Sequence, residues 1–216
     1  NIGGFAYHQT PDEVAVQTAV YTKKGCARAI RYAFELARER GKKNHVTSIT
    51  KSNALGYMTI WDRTFEEISE EYADIESDSL LIDAACMDLV RRPEAFDVIV
   101  APNLFGDIVT DIGAIITGSM GLASSANINP DTSVPSMFEP THGSAPDIAG
   151  QGIANPMAQI LTAAMMLRHL GEYKAATDVD AAVLKLLEQG EILTPDLGGS
   201  STTESVGDAI AQLVSG

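Results

Sequence analysis

Asp107 and Asp111 stand four residues apart in the run Asn103-Leu-Phe-Gly-Asp-Ile-Val-Thr-Asp111. That spacing stacks two carboxylates one turn apart on one face of a helix. Like charges so placed destabilise a bare helix by roughly 0.2–0.5 kcal/mol, so something must offset the repulsion. A hard divalent cation, Mg2+ or Mn2+, does so by taking carboxylate oxygens and keeping water or substrate oxygens in its other positions. A solvated acidic face is the plain alternative. Asp83 interrupts the apolar stretch Leu80 to Val90. An acid buried there needs a partner, which a cation or a lysine supplies, unless it simply faces water. Lys51 follows a strand in Thr47-Ser-Ile-Thr-Lys-Ser-Asn53. Beside a cation its proton affinity would fall through like charge and desolvation, suiting it to proton transfer near neutrality. Otherwise it is a surface lysine. Asn53 adds a polar group two positions on. The stretch His142 to Asn155 is a loop of small residues running to a helix start, where backbone N–H groups can receive phosphate or base edges. Asp147 within it could accept from ribose hydroxyls and would repel a 2′-phosphate. The same residues also suit plainer roles, Asn155 as a helix cap and His142 as a loop histidine. The chain has no Gly-x-Gly-x-x-Gly after a strand, so a Rossmann site is unsupported.

The elements that must hold these groups follow from periodicity. Glu13 to Tyr21 alternates as a strand, with Gly25 as its breaker. Ala27 to Arg40 has helical spacing, with Ile30, Phe34 and Ala37 on one face. His45–Thr50 is a short strand; 58–72 and 80–90 are helices. The nearly continuous apolar run 96–101 suits a strand covered on both faces, as in a parallel sheet. It places the start of the next helix, 103–116, at the carboxyl end of a strand, where open α/β sheets bind ligands. Residues 118–150 read as a long Gly/Ser/Pro-rich loop. Asn155 and Pro156 start a helix to Leu170, 175–189 is another, and Ser201-x-x-Glu204 matches a capping box opening the last. Strands alternating with helices give an α/β class, with a boundary near Thr117.

Composition excludes other functions. The 216 residues include 15 Lys+Arg against 29 Asp+Glu, a formal charge of −14. Phosphates of nucleic acid or of an anionic membrane face repel such a chain. Cys26 and Cys86 have no motif spacing and are expected to be buried free thiols. The longest apolar stretch, around 160–167, is too short and interrupted to span a bilayer. With no secretory signal at its start, the expected location is the cytoplasm.

Four segments, TKSNAL, FDVIVAPNLFGDIVTDIGA, FEPTHGSAPDIAGQGIANP and LGGSSTTESVGDAI, resemble the metal-dependent β-decarboxylating dehydrogenases in the family's own order and over nearly the whole chain. That family includes the isocitrate, 3-isopropylmalate, homoisocitrate and tartrate/D-malate enzymes. MTIWDRTFEE and GSMGLASSANINPD are most similar to the tartrate/D-malate branch, with the 3-isopropylmalate branch as nearest rival. The resemblance implies an α/β, isopropylmalate-dehydrogenase-like fold of two domains with mixed and parallel sheets flanked by helices. Its N-terminal portion is expected to be missing. Residues 1–117 would be most of the dimerisation domain with its arm, and 118–216 the C-terminal part of the large cofactor domain. Implied with it are NAD, Mg2+ or Mn2+, a small-molecule 2-hydroxy acid substrate and a homodimer sharing its active site.

Residue by residue, the resemblance makes Asp107 and Asp111 metal ligands in one subunit. Asp83 would reach the same ion from the partner, and Lys51 would act in trans as the base for the 2-hydroxyl proton. Asn53 would lie near substrate and nicotinamide. Glu139, His142, Gly143, Ser144, Ala145, Asp147, Ile148 and Asn155 match the family's cofactor loop, and Asp147-Ile148 its NAD-preferring form. The family's acid tyrosine and carboxylate-binding arginines belong upstream of Gly3-Gly4, and Tyr7 does not replace that tyrosine by position. The stretch alone is therefore expected to be inactive. A truncated dimerisation and metal-binding module is the second reading.

Overall fold

In the computed structural model, which describes residues 2–131 and 133–215, the chain divides into two compact units, Asn1–Val109 and Thr110–Gly216. This division falls eight residues before Thr117. The first unit opens with an antiparallel hairpin of β1 (Ile2–Ala6) and β2 (Val14–Thr18). The whole of β2 is exposed, Val14 and Val16 included. Gly25 does not break the chain as the sequence suggests. It lies in the first turn of α1 (Lys23–Arg40), where its N–H donates to the Thr22 cap hydroxyl at 3.1 Å. A Cβ at Gly25 would meet that hydroxyl at 3.1 Å, so glycine suits a capped first turn. Gly41, at φ 55°, ends the helix.

A three-stranded parallel sheet in the order β4-β3-β5 forms the frame of this unit. It consists of β3 (His45–Thr50), β4 (Glu76–Leu81) and β5 (Val98–Val100), with α2 (Thr59–Ser69) after β3 and α3 (Ile82–Arg91) after β4. The central strand β3 is buried from Val46 to Thr50, as its β-branched residues favour. Helix α1 packs on β3 and β5, and α2 on α1 and β3. Phe34 at their junction is fully buried and stacks on Phe65 and Tyr72, with ring centroids 5.6 and 4.8 Å away. The buried Ser48 hydroxyl accepts from Trp61 Nε1 at 2.9 Å, tying α2 to the strand. The helix expected over 80–90 proves to be strand followed by helix: Glu76–Leu81 pairs with β3, and the polar run Glu-Ser-Asp-Ser hid it from an apolar-periodicity argument.

The division between units falls within α4 (Asn103–Ile116). Beyond it, the stretch 118–150 is not one loop. It holds an antiparallel hairpin of β6 (Ser124–Asn127) and β7 (Met137–Pro140); Ser-Ser-Ala-Asn offers no apolar alternation, and Met-Phe-Glu-Pro is too short to show one. Helix α5 (Met157–His169) packs on that hairpin and on α6 (Tyr173–Gln189), and α6 on α7 (Thr203–Ser215). Met157, Val183, Leu186, Val206 and Ile210 are the core. The cap of α7 is Thr202, whose hydroxyl accepts from the Ser205 N–H at 3.1 Å; Ser201, expected in that role, lies one residue too early. Cys26 is buried and Cys86 half-buried, both free. Among the described residues no helix is long and apolar enough to cross a membrane.

Asp97, just before β5, has a side chain only 1% exposed. It accepts from Arg40 Nε at 3.0 Å and from the Lys43 N–H at 3.1 Å. Burial pushes its carboxyl up, but these donors outweigh burial and hold it below the usual range. A carboxyl depressed in the folded state adds stability above its unfolded value of about 3.9, and that stability is lost as pH falls through the lower folded value. Asp97→Ala is expected to cost about 0.5–1.5 kcal/mol at pH 7, the net worth of the hydrogen bonds lost, because the exposed Arg40 and Lys43 donors can turn to water. Urea melts at pH 7 and pH 3 check this, since the difference between variant and parent should shrink at pH 3.

Candidate active site

Parallel register brings Lys51 and Asp83 together. Thr50 of β3 pairs with Leu81 of β4, so both strands end level, and the chain continues to Lys51 on one side and Asp83 on the other. Lys51 Nζ donates to Asp83 Oδ2. The Asp83 side chain is 63% exposed and that of Lys51 26%. Of the partners the sequence left open for Asp83, this structure shows the lysine. Asp83 also lies in the first turn of α3, where the helix dipole favours an anion. The hydrogen bond from Lys51 holds its carboxyl below the usual range, with charge attraction to Lys51 and a backbone N–H adding to the effect. Past Lys51, the N–H groups of Ala54 and Leu55 both donate to its carbonyl, at 3.0 and 2.9 Å. That turn carries Asn53 exposed next to the pair.

Asp107 and Asp111 are exposed on α4 one turn apart, while Phe105, Val109 and Ala114 anchor the buried side of that helix. Their donor set is two hard carboxylates on one helix face, the chemistry that suits Mg2+ or Mn2+. Among the described residues no three His, Cys, Asp or Glu side chains converge as a metal cluster.

The other candidate residues surround one exposed loop of the second unit. Glu139 is exposed on β7, and His142, Gly143, Ser144 and Asp147 are exposed beyond it. His142 Nδ1 lies 3.0 Å from the Gly143 carbonyl, and the Asp147 carbonyl accepts from Gln151 Nε2 at 2.8 Å. Ala145 takes φ 42°, a left-handed conformation that costs a non-glycine residue about 1 kcal/mol. Its carbonyl accepts from the Ile148 N–H at 3.1 Å. A Cβ on Gly143 would meet nothing within 4 Å, so space is open above the loop. Asn155 closes the stretch as a cap: its Oδ1 accepts from the Met157 N–H at 2.9 Å.

Sequence reasoning missed the residues that fasten this loop. Thr203 at the start of α7 donates through its N–H to the Gly152 carbonyl at 2.8 Å and through its hydroxyl to the Ala154 carbonyl at 2.6 Å. Gly199 lets the adjoining turn close, since a Cβ there would lie 2.0 Å from the Leu193 carbonyl oxygen. Asp196 accepts from Asn155 Nδ2 at 3.0 Å. The only local signal was a charged residue between Pro195 and Leu197-Gly198-Gly199, and that reads as a turn.

Comparison with known proteins adds four findings. The isocitrate/isopropylmalate dehydrogenase family profile matches residues 4–210. A probable tartrate dehydrogenase/decarboxylase of Bacillus subtilis (strain 168) is 52% identical over 213 residues, which is 97% of this chain and 58% of that protein. A 3-isopropylmalate dehydrogenase of Thermobifida fusca (strain YX) is 48% identical, over 99% of this chain and 59% of its own length. Among solved structures, isocitrate dehydrogenase from Methylococcus capsulatus superposes with a TM-score of 0.90 at 42% identity, covering 99% of this chain and 62% of that one. The chain thus spans about three-fifths of the relatives it matches.

If Lys51 holds Asp83 ionised, Lys51→Met moves the Asp83 carboxyl back up toward the ordinary aspartate value of about 3.9. Carbon-detected NMR titration of the Asp83 side chain reads the change. An identical titration curve in parent and variant would show that the pair does not form in solution.

Proposed function

The chain belongs to the isocitrate/isopropylmalate dehydrogenase family, and from that premise we propose that the protein carrying it catalyses NAD-dependent oxidative decarboxylation of a 2-hydroxy dicarboxylic acid of the tartrate/D-malate kind. The observation that carries this reading is the hydrogen bond from Lys51 Nζ to Asp83 at the level ends of β3 and β4. The pair puts an amine and a carboxylate together beside a strand end, where the amine, once neutral, can take a proton from a bound hydroxyl. The tartrate-type relative, at the higher identity, favours that substrate branch over the 3-isopropylmalate alternative.

In this reading Lys51 Nζ accepts the proton of the substrate 2-hydroxyl through a relay. Asp83, held ionised, orients the amine and keeps a carboxylate oxygen available, and Asn53 lies near substrate and nicotinamide. Asp107 and Asp111 would hold Mg2+ or Mn2+, with Asp83 supplied by a second subunit. Glu139, His142, Gly143, Ser144, Ala145, Asp147, Ile148 and Asn155 would hold NAD. Held there, the cation would supply polarisation of the C2 oxygen and NAD+ a hydride acceptor; with C2 oxidised to a ketone, the bonding pair released as CO2 leaves would pass into an enol, whose carbon then takes a proton. Asp147 sets the cofactor choice, because its charge repels a ribose 2′-phosphate.

A homodimer with a shared site fits the exposed apolar residues. On α3, Met87 and Val90 are exposed at four and seven positions after Asp83, on the same helix face. On α4, Leu104, Ile108 and Ile115 are exposed at the spacing that puts them on the face of Asp111. Each stripe carries one of the proposed ligands, so a second copy covering the apolar residues would reach the carboxylates as well.

Two measurements on the full-length protein test the reading. Asp107→Asn is expected to abolish Mn2+-dependent turnover of a tartrate, D-malate or 3-isopropylmalate panel. It should also weaken Mn2+ binding by more than the ~10–100-fold that loss of an outer-shell partner costs. Unchanged Mn2+ affinity in that variant would count against the ligand assignment. The parent protein should show a higher kcat/KM with NAD+ than with NADP+, and the reverse order would contradict the role given to Asp147.

A further inference from the structure

Asp196 lies in the short turn Pro195–Leu197, before Gly198-Gly199. Its backbone is at the surface, yet one oxygen of its carboxylate is fully occupied. Oδ2 accepts from the Ser119 hydroxyl and, at 3.0 Å, from Asn155 Nδ2. The Ser119 oxygen in turn accepts from the Gly121 N–H at 2.9 Å. Burial pushes the Asp196 carboxyl up, but donation from Ser119 and Asn155 outweighs it and holds the group below the usual range. The adjoining Thr194 hydroxyl is fully buried and has no hydrogen-bond partner among the described residues. The packing is close: a Cβ on Gly121 would lie 2.6 Å from Asn155 Cβ and 2.8 Å from Asp196 Oδ2.

The consequence falls on Asn155. Its Oδ1 accepts from the first N–H of α5 at 2.9 Å, and its Nδ2 donates to Asp196. The carboxamide is therefore held at both ends and cannot flip. It keeps one Nδ2–H and one Oδ1 lone pair for a ligand, and that adjacent donor and acceptor match the edge of an adenine base.

We infer that Asp196 is a positioning residue for the cofactor: by fixing the Asn155 carboxamide it presents a set donor–acceptor pair to the adenine end of the dinucleotide. This rests on the proposed role of the 142–155 loop in holding NAD. Asp196 contributes no chemistry to hydride transfer, so its loss should change cofactor affinity and leave turnover at saturation alone.

The test uses Asp196→Ala, Asn155→Ala and the double variant in the full-length protein. Three quantities are read: the Kd for AMP by calorimetry, the KM for NAD+ against kcat, and the side-chain amide NMR signal of Asn155. Asp196→Ala is expected to raise the Kd for AMP and the KM for NAD+ about tenfold, the scale of one charge-assisted hydrogen bond. Meanwhile kcat and the KM for the hydroxy acid should stay within about twofold, a split a merely destabilised fold would not give. The double variant should bind AMP no worse than Asn155→Ala, because both changes remove one coupled unit. The Asn155 amide proton facing the carboxylate should move upfield in Asp196→Ala. An unmoved amide signal, or effects that simply add, would overturn the positioning role at Asp196. Unchanged AMP affinity in Asn155→Ala would overturn it together with the cofactor assignment of Asn155, so the two failures are told apart.

Discussion

The register of β3 against β4 is the constraint on which the candidate chemistry rests. Side chains alternate along a strand, so a slip of one residue would send Lys51 to the opposite face and part it from Asp83. What fixes the register is burial. β3 is covered from Val46 to Thr50, and Ser48 on it is pinned by Trp61 of α2. A slipped strand would break the Trp61–Ser48 hydrogen bond and leave buried hydroxyls of this strand without the partners that this register gives them. The apolar core therefore determines where an amine and a carboxylate meet, although neither takes part in that core.

The acidic excess of this chain is spread over carboxylates in different surroundings, and the surroundings sort them. Asp97 is buried and answered by Arg40 and a backbone N–H, an arrangement that can only be structural. Asp196 is answered by neutral donors, so it stays anionic while steering the amide it holds. Asp83 is answered by a lysine yet remains open to water, which leaves it able to exchange partners. Asp107 and Asp111 are exposed on a helix that like charge alone would weaken. The same side chain thus serves as clip, positioner, orienter and candidate metal ligand according to depth and donor.

Much of this was legible in the sequence, and the exceptions share a cause. The strand His45–Thr50, the strand before α4, and the helices α1, α4, α5 and α6 announced themselves through apolar periodicity. So did Asp107 and Asp111, because helical spacing is a local property. The strand Glu76–Leu81 did not: its Glu-Ser-Asp-Ser start carries no apolar face, and only pairing with β3 makes it a strand. In the β6–β7 hairpin, Ser-Ser-Ala-Asn has no apolar face and Met-Phe-Glu-Pro is only four residues long and ends in proline, so neither reads as a strand alone. Gly25 looked like a breaker because glycine more often ends elements than starts them. In each unit a pair crosses the fold: Lys51 meets Asp83 and Asp196 meets Asn155, residues 32 and 41 positions apart. No local spacing rule reaches across a fold in that way. The family resemblance supplied roles for Lys51, Asp83 and Asn155 but gave no part to Asp196.

Two of the proposed ligands, Asp83 and Asp111, sit within exposed apolar stripes on α3 and α4, and this links assembly to chemistry. Covering Met87, Val90, Leu104, Ile108 and Ile115 with a second copy is favourable by apolar burial. The same cover would draw the neighbouring carboxylates away from water, which costs energy unless each keeps a partner of opposite charge. Lys51 meets that need for Asp83, and a divalent cation would meet it for the α4 pair. Charge compensation and subunit association would then favour each other, because each lowers the cost of the other. With water excluded by such an association, electrostatic attraction at the seam would strengthen, and a cation held by the α4 pair would polarise a bound oxygen more strongly than in open solvent.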